Sequence, residues 1–233
     1  MKEIFDHYIE TSFDGHNQAT FKLKQFEFNY RPLFPISSSP ARTLDIGIGR
    51  GEMLSCMKAW GYDYLGVDIS PSTVTYCAGL GLNCELTRDT ICWLKEHRNQ
   101  YDLITLLDVL EHVPREQTVN FLAALKGALK TGGIAIIQVP NLQSPFGYLH
   151  HFNDITHVVG FVEHSLSQVL LAAGLADHQF FGFEEFVESD LKTRVKKILR
   201  PLLQRAVRFM RAINANPNPR ILHPVMYALV RKH

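Results

Sequence analysis

LDIGIGRGEML, residues Leu44 to Leu54, decides the fold. An apolar run, Thr43–Gly47, ends in Gly47-Ile48-Gly49-Arg50-Gly51, and an amphipathic stretch, Glu52–Trp60, follows. The pattern is strand, tight turn, helix. Glycines let the backbone turn sharply and approach a ligand with no Cβ in the way. The helix start beyond them offers unpaired N–H groups. A second apolar run, Tyr64–Asp68, places an acid 21 residues after Gly47. An acid at the end of strand two can accept from both hydroxyls of a ribose. A nucleoside ligand is expected at this turn.

The same alternation continues outward. Helix Ser72–Gly79, strand Asn83–Leu86, helix Thr90–His97, strand Tyr101–Leu107, helix Pro114–Leu129, strand Gly133–Val139 and helix Leu166–Ala173 follow in order. Strands apolar on both faces and separated by helices predict a mostly parallel sheet covered on both sides. Asp177–Val187 and Val225–Arg231 read as two more strands, with no crossover helix to make them parallel. The predicted fold is α/β, a Rossmann-like doubly wound sheet of seven strands. Its last strand is antiparallel, with a helical insertion before it. Residues 1–40 read as a helical cap, 41–189 with 224–233 as the ligand-binding domain, and 190–223 as the insertion. In the cap, Tyr8, Phe28 and Tyr30 can close over the ligand or simply pack on the sheet. Pro32 to Pro40, with Ser37-Ser38-Ser39, reads as a linker.

The dinucleotide fingerprint is GxGxxG, whereas this turn is GxGxG with Asp45 two residues before the first glycine. LDIGIGRG resembles the first motif of the class I S-adenosylmethionine-dependent methyltransferases. The resemblance extends through GVDIS (66–70), YDLITLLDVLEHV (101–113), LKGALKTGG (125–133) and IIQVPN (136–141), and is nearest the ubiquinone-methyltransferase-like branch. It implies S-adenosylmethionine as cofactor. Asp45 and the backbone of Gly47, Gly49 and Gly51 then line its methionine and ribose end. Asp68 takes the ribose hydroxyls and Ile69 packs on the adenine. Asp89 meets the adenine amino group with Thr90 beside it, although Arg88 stands where the family usually has glycine. Leu107 and Asp108 flank the methionine portion.

Methyl transfer to oxygen needs a base within reach of the acceptor's proton. Two histidine-bearing stretches compete for that role. His112, in LEHV, follows strand four, at the strand ends where open α/β sheets place ligands. The other is Pro140 to Leu166, which holds His150, His151, Asp154, His157 and His164 among the aromatics Phe146, Tyr148, Phe152 and Phe161. Asp154-Ile-Thr-His157 sets an acid and a histidine on one side of a turn, a common base arrangement. A similar D-x-T-H stretch followed by a serine-led helix (here Ser165) lines the acceptor pocket in related methyltransferases. Asp154, His157 and His112 are the candidate catalytic residues. No tight metal-ligand spacing exists, and Cys56, Cys77, Cys84 and Cys92 lack a CxxC pair, so no metal site is expected and the thiols read as buried and free.

The 233 residues carry a net charge of only +1. Asp190 to His223 holds nine bases and one acid, hence +8, which leaves −7 for the remainder. Within it, apolar residues from Leu191 to Ile213 recur at steps of three and four, while Arg and Lys fill the opposite face. That is a basic amphipathic helix, which Pro201 should kink or divide. It suits an anionic membrane surface, or packing on the domain or on a second subunit. Its wide apolar face argues against nucleic acid.

The expected activity is O-methylation of a glycan sugar or other lipid-linked acceptor, with a prenylated phenol (a quinone precursor) as the alternative. A NAD-linked oxidoreductase and a non-catalytic binding module are the readings from other classes. No run approaches 18 apolar residues and MKEIFDHYIE has no signal-peptide core, so a cytoplasmic protein, peripheral at the inner membrane face, is expected.

Overall fold

The computed structural model of the chain describes residues 18–35, 41–186, 191–215 and 217–233. Tyr8, the first part of the expected cap and Ser37–Ser39 lie outside the described residues.

Seven strands form one sheet: β1 (Arg42–Ile46), β2 (Asp63–Asp68), β3 (Cys84–Leu86), β4 (Tyr101–Leu107), β5 (Leu129–Pro140), β6 (Asp177–Gly182) and β7 (Val225–Arg231). Their spatial order is β3-β2-β1-β4-β5-β7-β6. The first five are parallel, and β7 runs antiparallel between β5 and β6. The helices are α1 (Gln18–Asn29), α2 (Glu52–Ala59), α3 (Pro71–Gly79), α4 (Thr90–Glu96), α5 (Arg115–Ala128), α6 (Gly147–Phe152), α7 (Glu163–Ala172) and α8 (Leu191–Ile213). Strand alternation divides the core in two. Ile104, Leu106 and Ile137 pack with Leu122 and Leu125 of α5 and Leu166 of α7. Leu103, Ile134 and Ile136 face the other way, onto Leu54 and Met57 of α2 and Phe26 of α1. Each such side chain, fully buried, contributes about 1.5–3 kcal/mol.

Local chemistry sets the helix starts. Ser70 accepts from the Thr73 amide with Pro71 in the first turn, and Asp89 accepts from the Cys92 amide at 3.0 Å.

Three boundaries differ from the sequence reading. β5 begins at Leu129, across a register shift opposite Tyr101–Leu103. α6 forms within the stretch after β5, where no helix is predicted. β6 ends at Gly182 rather than Val187, because backbone groups beyond it bond to α1 side chains instead of continuing the ladder. The Asn29 side chain exchanges two bonds with the backbone of Glu184, donating at 2.8 Å and accepting at 2.9 Å. The Gln25 side chain accepts from the Phe186 amide at 2.6 Å and donates to its carbonyl at 3.3 Å. Of the thiols, Cys56 and Cys77 are buried as expected, whereas Cys92 is exposed.

α8 runs as one helix through Pro201, so of the kink or division expected there the division does not occur. Its orientation is inverted relative to an ordinary surface helix, which buries its apolar stripe. Ile198, Leu203, Phe209 and Ile213 are each more than 60% exposed. Three of its bases turn to the protein: Arg200 pairs with Glu185 at 2.8 Å and Glu184 at 3.5 Å. Arg208 donates to the carbonyls of Pro219 and Arg220, and Arg211 to that of Pro217. No helix among the described residues is long and apolar enough to cross a membrane.

Candidate active site

A cavity of about 770 Å³ opens at the carboxyl ends of β1, β2 and β4, where strand order reverses. Asp45, Gly47, Gly49, Asp68, Ile69, Asp89, Thr90, Leu107 and Asp108 all line it. Gly51 sits behind this wall at the start of α2, where an added Cβ would meet Leu82 at 2.5 Å. At Gly47, φ is +75° and an added Cβ would meet the Val109 side chain at 2.3 Å. Only glycine allows that close approach.

Two carboxylates sit on the floor. Asp68 accepts from the amides of Ile48 at 2.9 Å and Ser70 at 2.8 Å. These bonds fix the carboxylate, yet burial outweighs them and pushes it up to about 6. Asp45 is buried and accepts from the Thr105 hydroxyl at 2.6 Å. Burial raises it to about 7, with the charges of Asp68 and Glu52 adding to the effect. Ile69 is 45% exposed at the rim, an apolar surface suited to a flat base. A held carboxylate, a Cβ-free turn and an apolar ledge together fit a nucleoside. Asp89 also serves as the cap of α4, and its carboxylate accepts from the Cys92 thiol at 3.1 Å.

Asp108 has a φ of +55°, a left-handed conformation that costs a non-glycine residue about 1–3 kcal/mol. It is held there by Gln138, whose side chain donates to Asp108 Oδ2 at 2.8 Å. Gln138 in turn accepts from the buried Tyr30 hydroxyl. Tyr30 therefore acts two residues removed from the cavity. Lys22 and Phe26 of α1 reach the cavity wall directly.

The two histidine stretches meet. A short 3-10 turn, Leu110–His112, brings His112 to the cavity wall, and its ring lies 4.5 Å from that of His157. The Thr156 hydroxyl donates to Asp154 Oδ1 at 2.6 Å, so it accepts from His112 Nδ1 at 2.8 Å. The acid of D-x-T-H is thus linked through threonine to His112, not only placed beside its own histidine. His157 Nδ1 donates to the His151 carbonyl at 2.7 Å, turning Nε2 toward Glu111 at 3.8 Å. Burial and the His157 ring lower His112 to about 4, so its imidazole is neutral near pH 7. Asp154 and His157 stand behind His112 and outside the cavity wall.

Glu111 is the residue that sequence reading passes over. It is fully buried, and among the described residues neither carboxylate oxygen has a hydrogen-bond partner. Burial and the nearby Asp108 raise it well above the carboxylate range. One ligand atom each from Glu111, His112 and His157 lies within 4.8 Å of the others, a donor set that can hold a metal ion. The EH pair in LEHV is adjacent in sequence, but the third donor comes from 45 residues on, which no local spacing reveals.

Known proteins share the fold. The family described as "Methyltransferase domain" matches residues 24–179. The ubiquinone biosynthesis O-methyltransferase of Marinobacter nauticus is 29% identical over 153 residues, which take in 61% of this chain and 63% of that one. Its namesake from Sinorhizobium fredii is 29% identical over 133 residues, 50% of this chain and 54% of the relative. The chain therefore matches between half and two thirds of the length of each. The crystal structure of a SAM-dependent methyltransferase from Archaeoglobus fulgidus superposes with a TM-score of 0.70 over 99% of both chains at 23% identity, a likeness of fold. The family match takes in the glycine turn and the five parallel strands, and the chain belongs to the class I S-adenosylmethionine-dependent methyltransferases.

Proposed function

We propose that this chain methylates an oxygen of a small amphiphilic acceptor, with S-adenosylmethionine as donor. The observation that carries this reading is His112, which lines the nucleoside cavity and is wired through Thr156 to Asp154. Asp68 would hold the ribose hydroxyls, and the Gly47 and Gly49 turn would pass beneath the methionine end. When bound, the cofactor supplies an activated sulfonium methyl, so the protein's work is alignment, water exclusion and proton removal. His112, neutral near pH 7, takes the acceptor's hydroxyl proton as the new O–C bond forms. Asp154, through Thr156, fixes the ring and stabilises the charge it gains. His157 holds the far side of the His112 ring in place.

Of the two acceptors named from sequence, a prenylated phenol has the better support. The curated relatives are named for ubiquinone biosynthesis. The stretch that carries Asp154 and His157 also exposes Phe146, Phe152, Ile155 and Val158, an apolar surface suited to an isoprenoid tail. A glycan acceptor would stack on aromatics but has no use for Ile155 and Val158. An anionic membrane surface at 191–213 would fit such an acceptor, which resides in lipid, and would go with a peripheral position at the cytoplasmic face.

Transfer of labelled methyl from S-adenosylmethionine to a prenylated catechol tests this. Label in the phenol ether supports it. Label only in a lipid-linked glycan restores the other acceptor. Cofactor binding with no transfer to either leaves a binding module, and calorimetric binding of NAD alone overturns the methyltransferase reading.

A further inference from the structure

Part of the cavity lining has no task in the cofactor reading. α4 and α5 lie on the face of the sheet opposite α2: Leu94 of α4 and Leu122 of α5 share one core cluster, and Leu54 of α2 belongs to the other. β3 and β4 run parallel, so both helices begin at the edge where the cavity opens. The cavity continues between those beginnings. Ile91 of α4 and Val113, just before α5, line it and are half-buried. Phe121, at 5% exposure, is the most deeply buried side chain of this branch. Gln117 and Lys95, both exposed, mark its outer end. At about 770 Å³ the whole cavity lies in the upper part of the roughly 300–1,000 Å³ range of small-molecule sites, which leaves room beyond a nucleoside. Asp89 stands where α4 begins. Its Oδ1 accepts from the Cys92 amide at 3.0 Å and its Oδ2 from the Cys92 thiol at 3.1 Å. The carboxylate is thus turned back on its own helix.

We infer that the branch between α4 and α5 is a subsite for an apolar group carried on the 6-amino nitrogen of the cofactor's adenine, so that this chain binds S-adenosyl ligands extended there by an aryl or alkyl group. This rests on the cofactor reading, with Asp89 as the neighbour of the adenine amine, and adds a second compartment to it. The chemistry of the branch selects the group. Ile91, Val113 and Phe121 offer side chains of carbon alone, so a benzyl-sized group gains burial and strands no polar partner. A charged substituent would lose its hydration against the same surface. The exposed outer end lets a longer group run into solvent instead of meeting a wall. An amine that exchanges one hydrogen for carbon keeps one N–H, and Asp89, already engaged by Cys92, demands no second.

The test compares S-adenosylhomocysteine with its derivative benzylated on the 6-amino nitrogen, by calorimetry on the full chain, so it does not depend on turnover. The derivative should bind within about tenfold of the unmodified compound. Gln117→Trp, at the exposed end, and Val113→Phe, further in, both narrow the branch. Each should weaken the derivative by about tenfold or more, and S-adenosylhomocysteine by no more than about threefold. The exposed Cys92 thiol, which lines the same branch, reports position. Its alkylation by iodoacetamide, read by mass spectrometry, should be slowed more by the derivative than by S-adenosylhomocysteine at equal occupancy. A derivative bound more than about a hundredfold more weakly than the unmodified compound overturns the subsite and leaves the cofactor reading standing. A derivative that binds well but whose affinity ignores both substitutions, or that leaves Cys92 no better protected, places the benzyl group elsewhere and also overturns it. If neither compound binds, the cofactor reading fails and the subsite falls with it.

Discussion

The hydroxyl of Thr156 stands 2.8 Å from Nδ1 of His112, across 44 residues of chain. It has one proton, and Asp154 receives it at 2.6 Å. The threonine therefore fixes which His112 nitrogen carries hydrogen.

Thr156→Val keeps the shape and breaks that link. Methyl transfer in single turnover should fall by about tenfold or more, and His112→Ala by about 10²–10⁴-fold. Calorimetric affinity for S-adenosylhomocysteine should change little in Thr156→Val. Equal losses in rate and affinity would assign Thr156 to folding instead.

Cofactor affinity should depend on the ionisation of Asp68. Burial holds that group at about 6 in the free protein, and the ionised form accepts better from two hydroxyls. Affinity should therefore rise between pH 5 and about 7 and then level. Asp68→Asn should bind weakly and show no such rise. A flat profile for the parent chain would contradict the role.

Asp45 should show the opposite kind of linkage, in stability. Its folded value is raised to about 7, while an unfolded aspartate titrates at about 3.9. The folded state thus holds the proton more tightly, and stability falls as pH rises through that window. Asp45→Asn retains an acceptor for Thr105 and removes the buried charge. Its melting temperature should exceed the parent's by on the order of 5 °C at pH 8, with the gap closing toward pH 4. The same variant should lose cofactor affinity, a trade of function for stability.

Tyr30→Phe removes the hydroxyl that Gln138 accepts from, inside the core. It should cost about 1–3 kcal/mol in chemical denaturation, from the unsatisfied Gln138 oxygen. It should also slacken Asp108, visible as weaker S-adenosylhomocysteine binding. Destabilisation with cofactor affinity intact would confine Tyr30 to packing.

The sheet was legible because its signals are local. LDIGIGRG, GVDIS and the apolar runs each declare a strand or turn within a few residues, and the parallel order follows from the helices between them. The antiparallel end was legible because the helix between Asp177 and Val225 reads as an insertion and not as a crossover packed on the sheet. The floor of the cavity was legible too, since Asp68 and the glycines occupy strand ends. What escaped was pairing across distance. His112 and Asp154 stood in the sequence as rivals, and only folding shows Thr156 between them. Glu111 is silent because nothing local says that its oxygens are buried without a hydrogen bond among the described residues. The reach of Tyr30 to Asp108 through Gln138 likewise spans three elements. The inward turn of Arg200 and Arg208 reverses what an amphipathic pattern alone suggests, since the acids and carbonyls that attract them lie outside the helix.

The position of β7 has a consequence for how the chain acquires its shape. β6 has no neighbour in the sheet except β7, which follows only after the whole of α8. Capture of β6 therefore requires closure of that long loop. Loop closure grows only slowly with length, by about 0.6 kcal/mol per doubling. The segment between β6 and β7 is therefore a place where a helix can be lengthened, exchanged or lost in descent at little expense to the sheet that does the chemistry.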